Sequence, residues 1–167
     1  MKILLTGKDG QLGFELQRAL RPLGEIIAVN RQQCDLAKPD SIRSIIQSVK
    51  PDLIINSAAY TSVDLAETEI SLAKAINADA PGIIGEEASK LGASVIHYST
   101  DYVFDGTKLD PYIETDLTNP HSIYGKTKRD GESALLASCP KTLIFRSSWI
   151  VGMHGRNFAK TILRLAE

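Results

Sequence analysis

The stretch LLTGKDGQLG, residues 4–13, carries three glycines between a short apolar run and a segment of helical periodicity. Gly7, Gly10 and Gly13 have the spacing G-x-x-G-x-x-G. At a strand-to-helix junction, such glycines permit a tight turn, let the backbone approach a pyrophosphate and let the helix pack closely on the strand. The exposed N–H groups and the positive end of the helix then attract phosphate. The motif predicts a dinucleotide-binding turn, and its alternative is a tight turn without a ligand.

Outward from this turn, short apolar runs alternate with segments of helical periodicity along the whole chain. The predicted strands cover residues 3–5, 26–29, 53–55, 95–98 and 143–145. The predicted helices cover residues 12–23, 39–49, 67–91 (in two pieces, because Asn77 and Pro81 interrupt the pattern), 123–137 and 157–166. This alternation indicates βαβ units, and continuous apolar strands suit a sheet covered on both faces. We therefore predict an α/β fold with a doubly wound parallel sheet, the Rossmann fold, over residues 1–167.

Composition narrows the class of protein. The chain has 167 residues, of which 43% are apolar and 23% charged, and its net charge is −1. This balance suits one globular domain and provides no basic surface for nucleic acid. The apolar start is too short for a signal or a membrane span. Cys34, Cys139 and the three histidines lack metal-ligand spacing. We expect free thiols, a cytoplasmic location, and neither nucleic-acid nor membrane partners.

The end of the second strand discriminates between nicotinamide cofactors. An acid there holds the ribose 2′-OH and repels a 2′-phosphate. This chain has Asn30 and Arg31 instead, so the repulsion is absent and a guanidinium is available for a phosphate. Asp35 and Leu36 follow where an adenine could pack. These residues favour NADPH over NADH, and the alternative role for Arg31 is a solvated surface cation.

Tyr124 and Lys128 are spaced i and i+4 on a predicted helix, so their side chains share one face. A free phenol titrates near pH ~10, and a nearby ammonium stabilises the phenolate and lowers that pKa. Tyr124 could then give a proton to a reduced carbonyl, and Lys128 could also bind the nicotinamide ribose. The pair alone describes an ordinary helix surface. Its place after the fourth strand of a chain with a glycine-rich turn favours the catalytic interpretation.

Ligands of doubly wound sheets bind outside the carboxyl ends of the strands. After the fourth strand, Thr100 is placed to hydrogen-bond a substrate carbonyl, although hydroxyl residues are also common in turns. After the third strand, five residues are expected to face the cofactor: Asn56, Ala58, Ala59, Tyr60 and Thr61.

With these residues in place, the chain resembles the extended short-chain dehydrogenase/reductases, and among them the enzymes that reduce dTDP-4-keto-6-deoxy sugars. The resemblance covers essentially the whole chain, and its middle segment is the most specific. The matching segments are residues 4–13, 56–64, 97–106, 124–128, 146–149 and 157–161.

The resemblance implies hydride transfer from NADPH, or from NADH, to C4 of a dTDP-sugar. Tyr124 would be the proton donor, Lys128 its helper and Thr100 the partner of the carbonyl. Thr100, Asp101 and Trp149 would contact the sugar. Together with the spacing arguments, it predicts these cofactor contacts: Gly7, Gly10, Gln11, Leu12, Gly13, Asn30, Arg31, Asp35, Leu36, Ala58, Ala59, Tyr60, Thr61, Tyr98, Tyr124 and Lys128.

The resemblance also bears on metal, assembly and length. Some family members hold a magnesium ion at a homodimer contact through a glutamate of the first helix, a position that Glu15 matches. A solvated carboxylate is the favoured interpretation of Glu15, because the partner ligands would lie beyond residue 167. Family members are nearly twice as long, and we expect a fragment that lacks most of the C-terminal substrate-binding portion.

Three alternatives follow from the same scaffold. Sugar-nucleotide dehydratases carry an acid directly after the Thr-Asp pair, whereas this chain has Tyr102 there, which argues against dehydration. A sugar-nucleotide epimerase is harder to separate from a reductase. A non-catalytic NADP-binding module is also possible, because the regulatory subunit of methionine adenosyltransferase resembles this family.

Overall fold

The computed structural model describes residues 1–155 and 157–166, and its centre is a five-stranded parallel sheet. The strand order is β2-β1-β3-β4-β5, and every neighbouring pair is parallel. The predicted doubly wound sheet is thereby confirmed. The strands are β1 (Lys2–Thr6), β2 (Glu25–Val29), β3 (Leu53–Asn56), β4 (Ser94–Thr100) and β5 (Thr142–Ser147).

Helices cover both faces of the sheet, as the apolar strands require. The larger core contains Leu4, Ile54 and Val95 of the sheet and buried residues of the helices on that face. On the other face, Ile3 and Leu5 pack against α1. The helices are α1 (Gln11–Ala19), α2 (Pro39–Val49), α3 (Val63–Ala66), α4 (Ile70–Lys74), α5 (Ala80–Leu91), α6 (Ile123–Ser138) and α7 (Phe158–Leu165).

The predicted break in the helix of residues 67–91 is wrong. A π-helical turn, Ala75–Asp79, joins α4 to α5 without interruption. Pro81 lies at the start of α5, directly after this wide turn. The wide turn places Asn77 in the interior, which a helical wheel of 3.6 residues does not anticipate.

Two other boundaries differ from the prediction. Helix α1 ends at Ala19, and a separate 3-10 turn, Arg21–Leu23, follows it. Pro22 explains the early end, because its ring cannot continue an α-helix. Strand β4 extends to Thr100, since its polar end pairs with β5 through Ser99 and Arg146.

A buried glutamate ties α2 to α5 and makes the stability depend on pH. The Glu87 side chain is 3% exposed and accepts bonds from Lys90, Gln47 and Arg43. The Lys90 bond, followed by the other two, lowers the pKa of Glu87 to about 2. A carboxylate with a depressed pKa contributes stability above its unfolded pKa, and the contribution is lost as the pH falls through the folded pKa.

We therefore expect the free energy of unfolding to fall between about pH 5 and pH 2, with Glu87 contributing on the order of 2 kcal/mol. Chemical denaturation across that range measures the slope. Glu87→Gln should flatten it, whereas Glu86→Gln should not, because Glu86 is half-exposed. Equal slopes in the wild type and in Glu87→Gln would contradict the assignment.

Candidate active site

A cavity of about 440 Å³ opens at the carboxyl ends of β1, β2 and β3. The strand order reverses between β1 and β3, which is where doubly wound sheets bind ligands. Ten predicted cofactor residues line it: Gly7, Gly10, Asn30, Arg31, Asp35, Leu36, Ala58, Ala59, Tyr60 and Thr61. Five lining residues were not predicted, and all but the last adjoin predicted ones in sequence: Asp9, Gln32, Cys34, Ser62 and Ile76.

The glycine-rich turn fits an anionic ligand. Gly7 has φ +76°, and the Gly10 N–H donates to the Gly7 carbonyl at 3.0 Å. A Cβ on Gly13 would lie 2.1 Å from the Gly7 oxygen. Gly10 is the N-cap of α1, and no side chain of the described residues caps this helix. The first N–H groups of α1 therefore remain available for phosphate oxygens.

The loop after β2 presents one cation at the cavity. Arg31 has a side chain that is 70% exposed, and its Nε lies 3.8 Å from Asp35 Oδ1. Asp35 also accepts a bond from the Ala37 N–H, which fixes the carboxylate. The guanidinium is thus loosely held at the rim and can reach a phosphate in the cavity.

The loop after β3 is held by Asn77, a residue that sequence reasoning did not select for the site. Asn77 Oδ1 accepts from the Tyr60 N–H at 2.9 Å, and Nδ2 donates to the Tyr60 carbonyl at 3.0 Å. Nδ2 also lies 3.4 Å from Thr127 Oγ1 on α6. This one amide therefore joins the cavity wall to the helix that carries Tyr124 and Lys128. The sequence signal that could have identified Asn77 is its polar side chain within an otherwise apolar stripe of the predicted helix.

Tyr124 lies in the first turn of α6, close to Thr100 at the end of β4. Gly125 permits this approach, since a Cβ there would lie 2.3 Å from the Tyr102 carbonyl oxygen. The Tyr102 ring meets the Tyr124 ring edge-on, with 5.6 Å between centroids. Thr100 and Tyr124 are thus brought together at this edge of the sheet.

The expected lowering of the Tyr124 pKa is not found. Burial raises this pKa, the Thr100 side chain acts in the opposite direction, and Asp101 and Tyr102 add to the increase. The physical reason is desolvation of the phenol, while the Lys128 ammonium donates to the Tyr98 carbonyl. Tyr124 therefore keeps its proton at neutral pH, which suits a proton donor.

Lys128 is not on a helix surface but is 1% exposed. Its Nζ donates to the Tyr98 carbonyl at 2.7 Å and lies 3.4 Å from His97 Nε2. Burial lowers the pKa of Lys128 to about 8, against the attraction of Glu132. A fully buried lysine is rare in proteins and indicates a functional site.

Asn56 does not face the cavity, so that prediction is wrong. It ends β3 with its side chain directed along the sheet, where it bonds to Thr6 and His97. The reason is that Asn56 still belongs to strand β3, whereas the cavity is lined by residues of the loop that follows the strand. Six predicted cofactor residues also lie outside the cavity lining: Gln11, Leu12, Gly13, Tyr98, Tyr124 and Lys128.

The other predicted residues lie near this edge of the sheet. Gln11 Nε2 donates to the Ile150 carbonyl at 3.3 Å. Asp101 accepts from the Thr100 hydroxyl at 3.0 Å. Trp149 has φ +50° and is strongly exposed, with its ring 4.6 Å from that of Phe158. Backbone of this kind in a bulky residue often accompanies a ligand site.

Glu15, the predicted magnesium ligand, lies on α1 and pairs with Arg18 at 3.1 Å. Over residues 1–155 and 157–166, no three His, Cys, Asp or Glu side chains gather as a metal site would require. Cys34 and Cys139 are buried and free, as predicted. Within the same residues, no helix combines the length and the apolar character needed to cross a membrane.

Comparison with known proteins places this geometry in one family. The family model described as the RmlD substrate binding domain matches residues 1–167. The chain is 50% identical to the dTDP-4-dehydrorhamnose reductase of Salmonella typhimurium, over 100% of this chain and 57% of that protein. The solved structure of that reductase from Clostridium acetobutylicum has a TM-score of 0.95 and 42% identity, over 99% of this chain and 59% of the other.

A structure of the Bacillus anthracis reductase in complex with NADP has a TM-score of 0.94 and 37% identity. It covers 98% of this chain and 59% of that one. The chain therefore spans less than two thirds of the length of these relatives.

Proposed function

Because the chain belongs to the RmlD substrate binding domain family, we propose that it is the cofactor-binding part of an NAD(P)H-dependent ketoreductase. Its substrate would be a dTDP-4-keto-6-deoxy sugar, with dTDP-4-dehydrorhamnose converted to dTDP-L-rhamnose. The observation that carries the proposal is the position of Thr100, Tyr124 and Lys128 at the same edge of the sheet as the cavity behind the glycine-rich turn. The assignment of the substrate rests on the names of the relatives given above.

Each residue has a defined task in this proposal. The nicotinamide cofactor would supply the hydride to C4 of the sugar. Thr100 would hold the carbonyl oxygen by its hydroxyl, and Tyr124 would give that oxygen its proton. Lys128 would hold the cofactor ribose and place positive charge beside the tyrosine that has lost its proton. Asp101 and Trp149 would contact the sugar.

The experiment that tests the function has two steps. Calorimetric titration with NADPH and then NADH measures whether the cavity holds a cofactor. Oxidation of NADPH at 340 nm, with dTDP-4-dehydrorhamnose as substrate, then measures reduction. Micromolar binding followed by turnover supports the reductase. If the chain binds NADPH but does not oxidise it with any dTDP-4-keto sugar, the chain is a binding module and not a reductase.

A second candidate is a regulatory NADP-binding module, which would use the same cavity for the cofactor and differ from the reductase in having no turnover. An epimerase remains a further alternative, which sugar analysis of the product distinguishes. The magnesium ion at Glu15, the homodimer and the cytoplasmic location remain predictions.

Arg31 provides the test of cofactor preference. We expect Arg31→Glu to weaken NADPH binding by about 10- to 100-fold, because a carboxylate replaces a charge-assisted phosphate contact. NADH binding should change by less than about threefold, since NADH lacks the 2′-phosphate. Calorimetry measures both. The control is Lys38→Glu, an exposed cation of the same loop that also lies near Asp35. An equal loss in the two variants would show a general effect of charge.

A further inference from the structure

A row of polar side chains crosses the sheet on the face of the larger core. Thr6, Asn56 and His97 are register partners on β1, β3 and β4, and none is more than 3% exposed. The Thr6 hydroxyl donates to Asn56 Oδ1 at 2.7 Å, and Asn56 Nδ2 lies 3.1 Å from His97 Nδ1. Two positions earlier, the same face of each strand presents an apolar core residue. The row is thus a local exception in an apolar layer.

Packing does not explain such a row. Burying hydroxyl, amide and imidazole groups costs free energy that their mutual hydrogen bonds at best offset, whereas apolar side chains of similar volume incur no such cost. The row ends on Lys128, whose Nζ lies 3.4 Å from His97 Nε2.

The surroundings of Lys128 leave few other partners for its ammonium. Strand β4 contributes the Tyr98 carbonyl and His97. Helix α6 contributes Glu132, which lies one turn later and is itself engaged by Arg146 of β5 at 2.6 Å. The lysine is therefore held between one carbonyl and one imidazole.

We propose that His97 is a positioning residue for Lys128: the row from Thr6 through Asn56 fixes the imidazole, and the imidazole and the Tyr98 carbonyl together fix the ammonium. An ammonium has three N–H groups, so one remains for a ligand. Only the role given to Lys128, which is to hold the cofactor ribose, rests on the proposed function; the contacts of His97 and Lys128 do not depend on it.

The contact with Lys128 determines the tautomer of His97. Burial, followed by the charge of Lys128, holds the pKa of His97 well below its ordinary value, so the ring is neutral. An ammonium can only donate, so Nε2 must accept from it and the ring proton must be on Nδ1. Asn56 then meets Nδ1–H with its amide oxygen. The structure has the amide in the opposite orientation, with Nδ2 toward Nδ1 and the Thr6 hydroxyl donating to Oδ1, and this orientation suits an uncharged Lys128 amine. A charged Lys128 therefore requires the Asn56 amide to be rotated by half a turn, so that Nδ2 donates to the Thr6 hydroxyl. The direction of hydrogen-bond donation along the row therefore depends on whether Lys128 is charged.

Nitrogen-15 spectra of histidine-labelled protein test the tautomer directly, since the chain has only three histidines. At about pH 6 we expect long-range proton–nitrogen couplings of the Nδ1–H form for His97 and no protonated ring. A His97 ring that becomes charged near pH ~6.5, or that is in the Nε2–H form while Lys128 is charged, would overturn the proposal. This measurement needs no variant and no cofactor.

Variants test the positioning. With carbon-13 at lysine Cε, His97→Leu should lower the pKa of Lys128 by about one unit, because the ammonium loses an acceptor. His97→Gln retains an amide oxygen within reach and should restore most of the difference. Val95→Ala, a core truncation two positions earlier on β4, should lower Tm without moving the titration. An unchanged pKa of Lys128 in His97→Leu would contradict the positioning role of His97.

Cofactor binding is the third readout. His97→Leu should weaken NADPH binding about 5- to 10-fold, since the lysine is no longer held toward the ribose, and His97→Gln should weaken it less. If the wild type does not bind NADPH, the proposed function fails, while the tautomer and the Lys128 titration still decide the role of His97. If the wild type binds and all variants bind equally, the positioning role fails alone.

Discussion

Replacing Tyr124 with Phe is expected to lower the turnover number by about 10²- to 10⁴-fold, which is the range for loss of a general acid. Tyr124 is a half-buried phenol whose pKa is raised, so it holds its proton at neutral pH and gives it up only to a stronger base. Phenylalanine keeps the ring packing against Tyr102 and removes only the hydroxyl. NADPH affinity should therefore change by less than about fivefold, and steady-state kinetics with calorimetry separates the two effects.

The matched control is Tyr102→Phe, which removes a neighbouring hydroxyl from a half-exposed ring. It should retain turnover within about threefold. The pH profile adds a second check. Because Lys128 has a pKa of about 8, turnover that depends on its ammonium should decline above that pH. Turnover in Tyr124→Phe equal to that in Tyr102→Phe would remove the tyrosine from the reaction.

Gly13→Ala is expected to abolish measurable cofactor binding and to lower Tm by several degrees. The added Cβ would lie 2.1 Å from the Gly7 oxygen and 2.7 Å from its carbonyl carbon, so backbone rather than a flexible side chain must move. Overpacking of this kind costs about 1–3 kcal/mol, which is a few degrees for a chain of this size. The displaced backbone is the phosphate-binding turn, so binding and stability should fall together.

Gly10→Ala separates these two effects. A Cβ on Gly10 would meet only the Gly7 oxygen, at 3.3 Å, and its φ of −76° suits alanine. The Tm should therefore change by less than about 3 °C, while the methyl group occupies space needed by the pyrophosphate. For both variants, thermal unfolding measures the change in Tm and calorimetry measures the change in NADPH binding. Wild-type NADPH affinity in Gly13→Ala would show that this turn does not form the site.

Short-range spacing was enough to predict the sheet, the glycine-rich turn and most of the cavity. Gly7, Arg31 and Tyr60 follow three parallel strands, and parallel strands bring their carboxyl ends to one edge whatever the details of packing. The prediction needed only strand positions. For that reason it succeeded for the loops after β1, β2 and β3 without knowledge of strand order.

The interior of the site could not be predicted in the same way. Asn77 reaches Tyr60 because a π-helical turn shifts its direction, and His97 reaches Lys128 because α6 packs on β4. Both contacts join segments far apart in the chain, and neither has a local periodicity. The rise in the Tyr124 pKa also depends on burial, which the spacing of Tyr124 and Lys128 does not reveal.

The strand order has a consequence for how the protein folds. Strand β3 lies between β1 and β4, and its pairings join Ile3 to Leu53 and Leu53 to Ser94. Such long-range parallel pairings form slowly, because the entropy of loop closure is lost before contacts are gained. The cavity needs the ends of both β1 and β3, so partly folded chains do not possess it. A ligand of this cavity would therefore select the finished sheet and protect it from unfolding in proportion to the logarithm of its concentration.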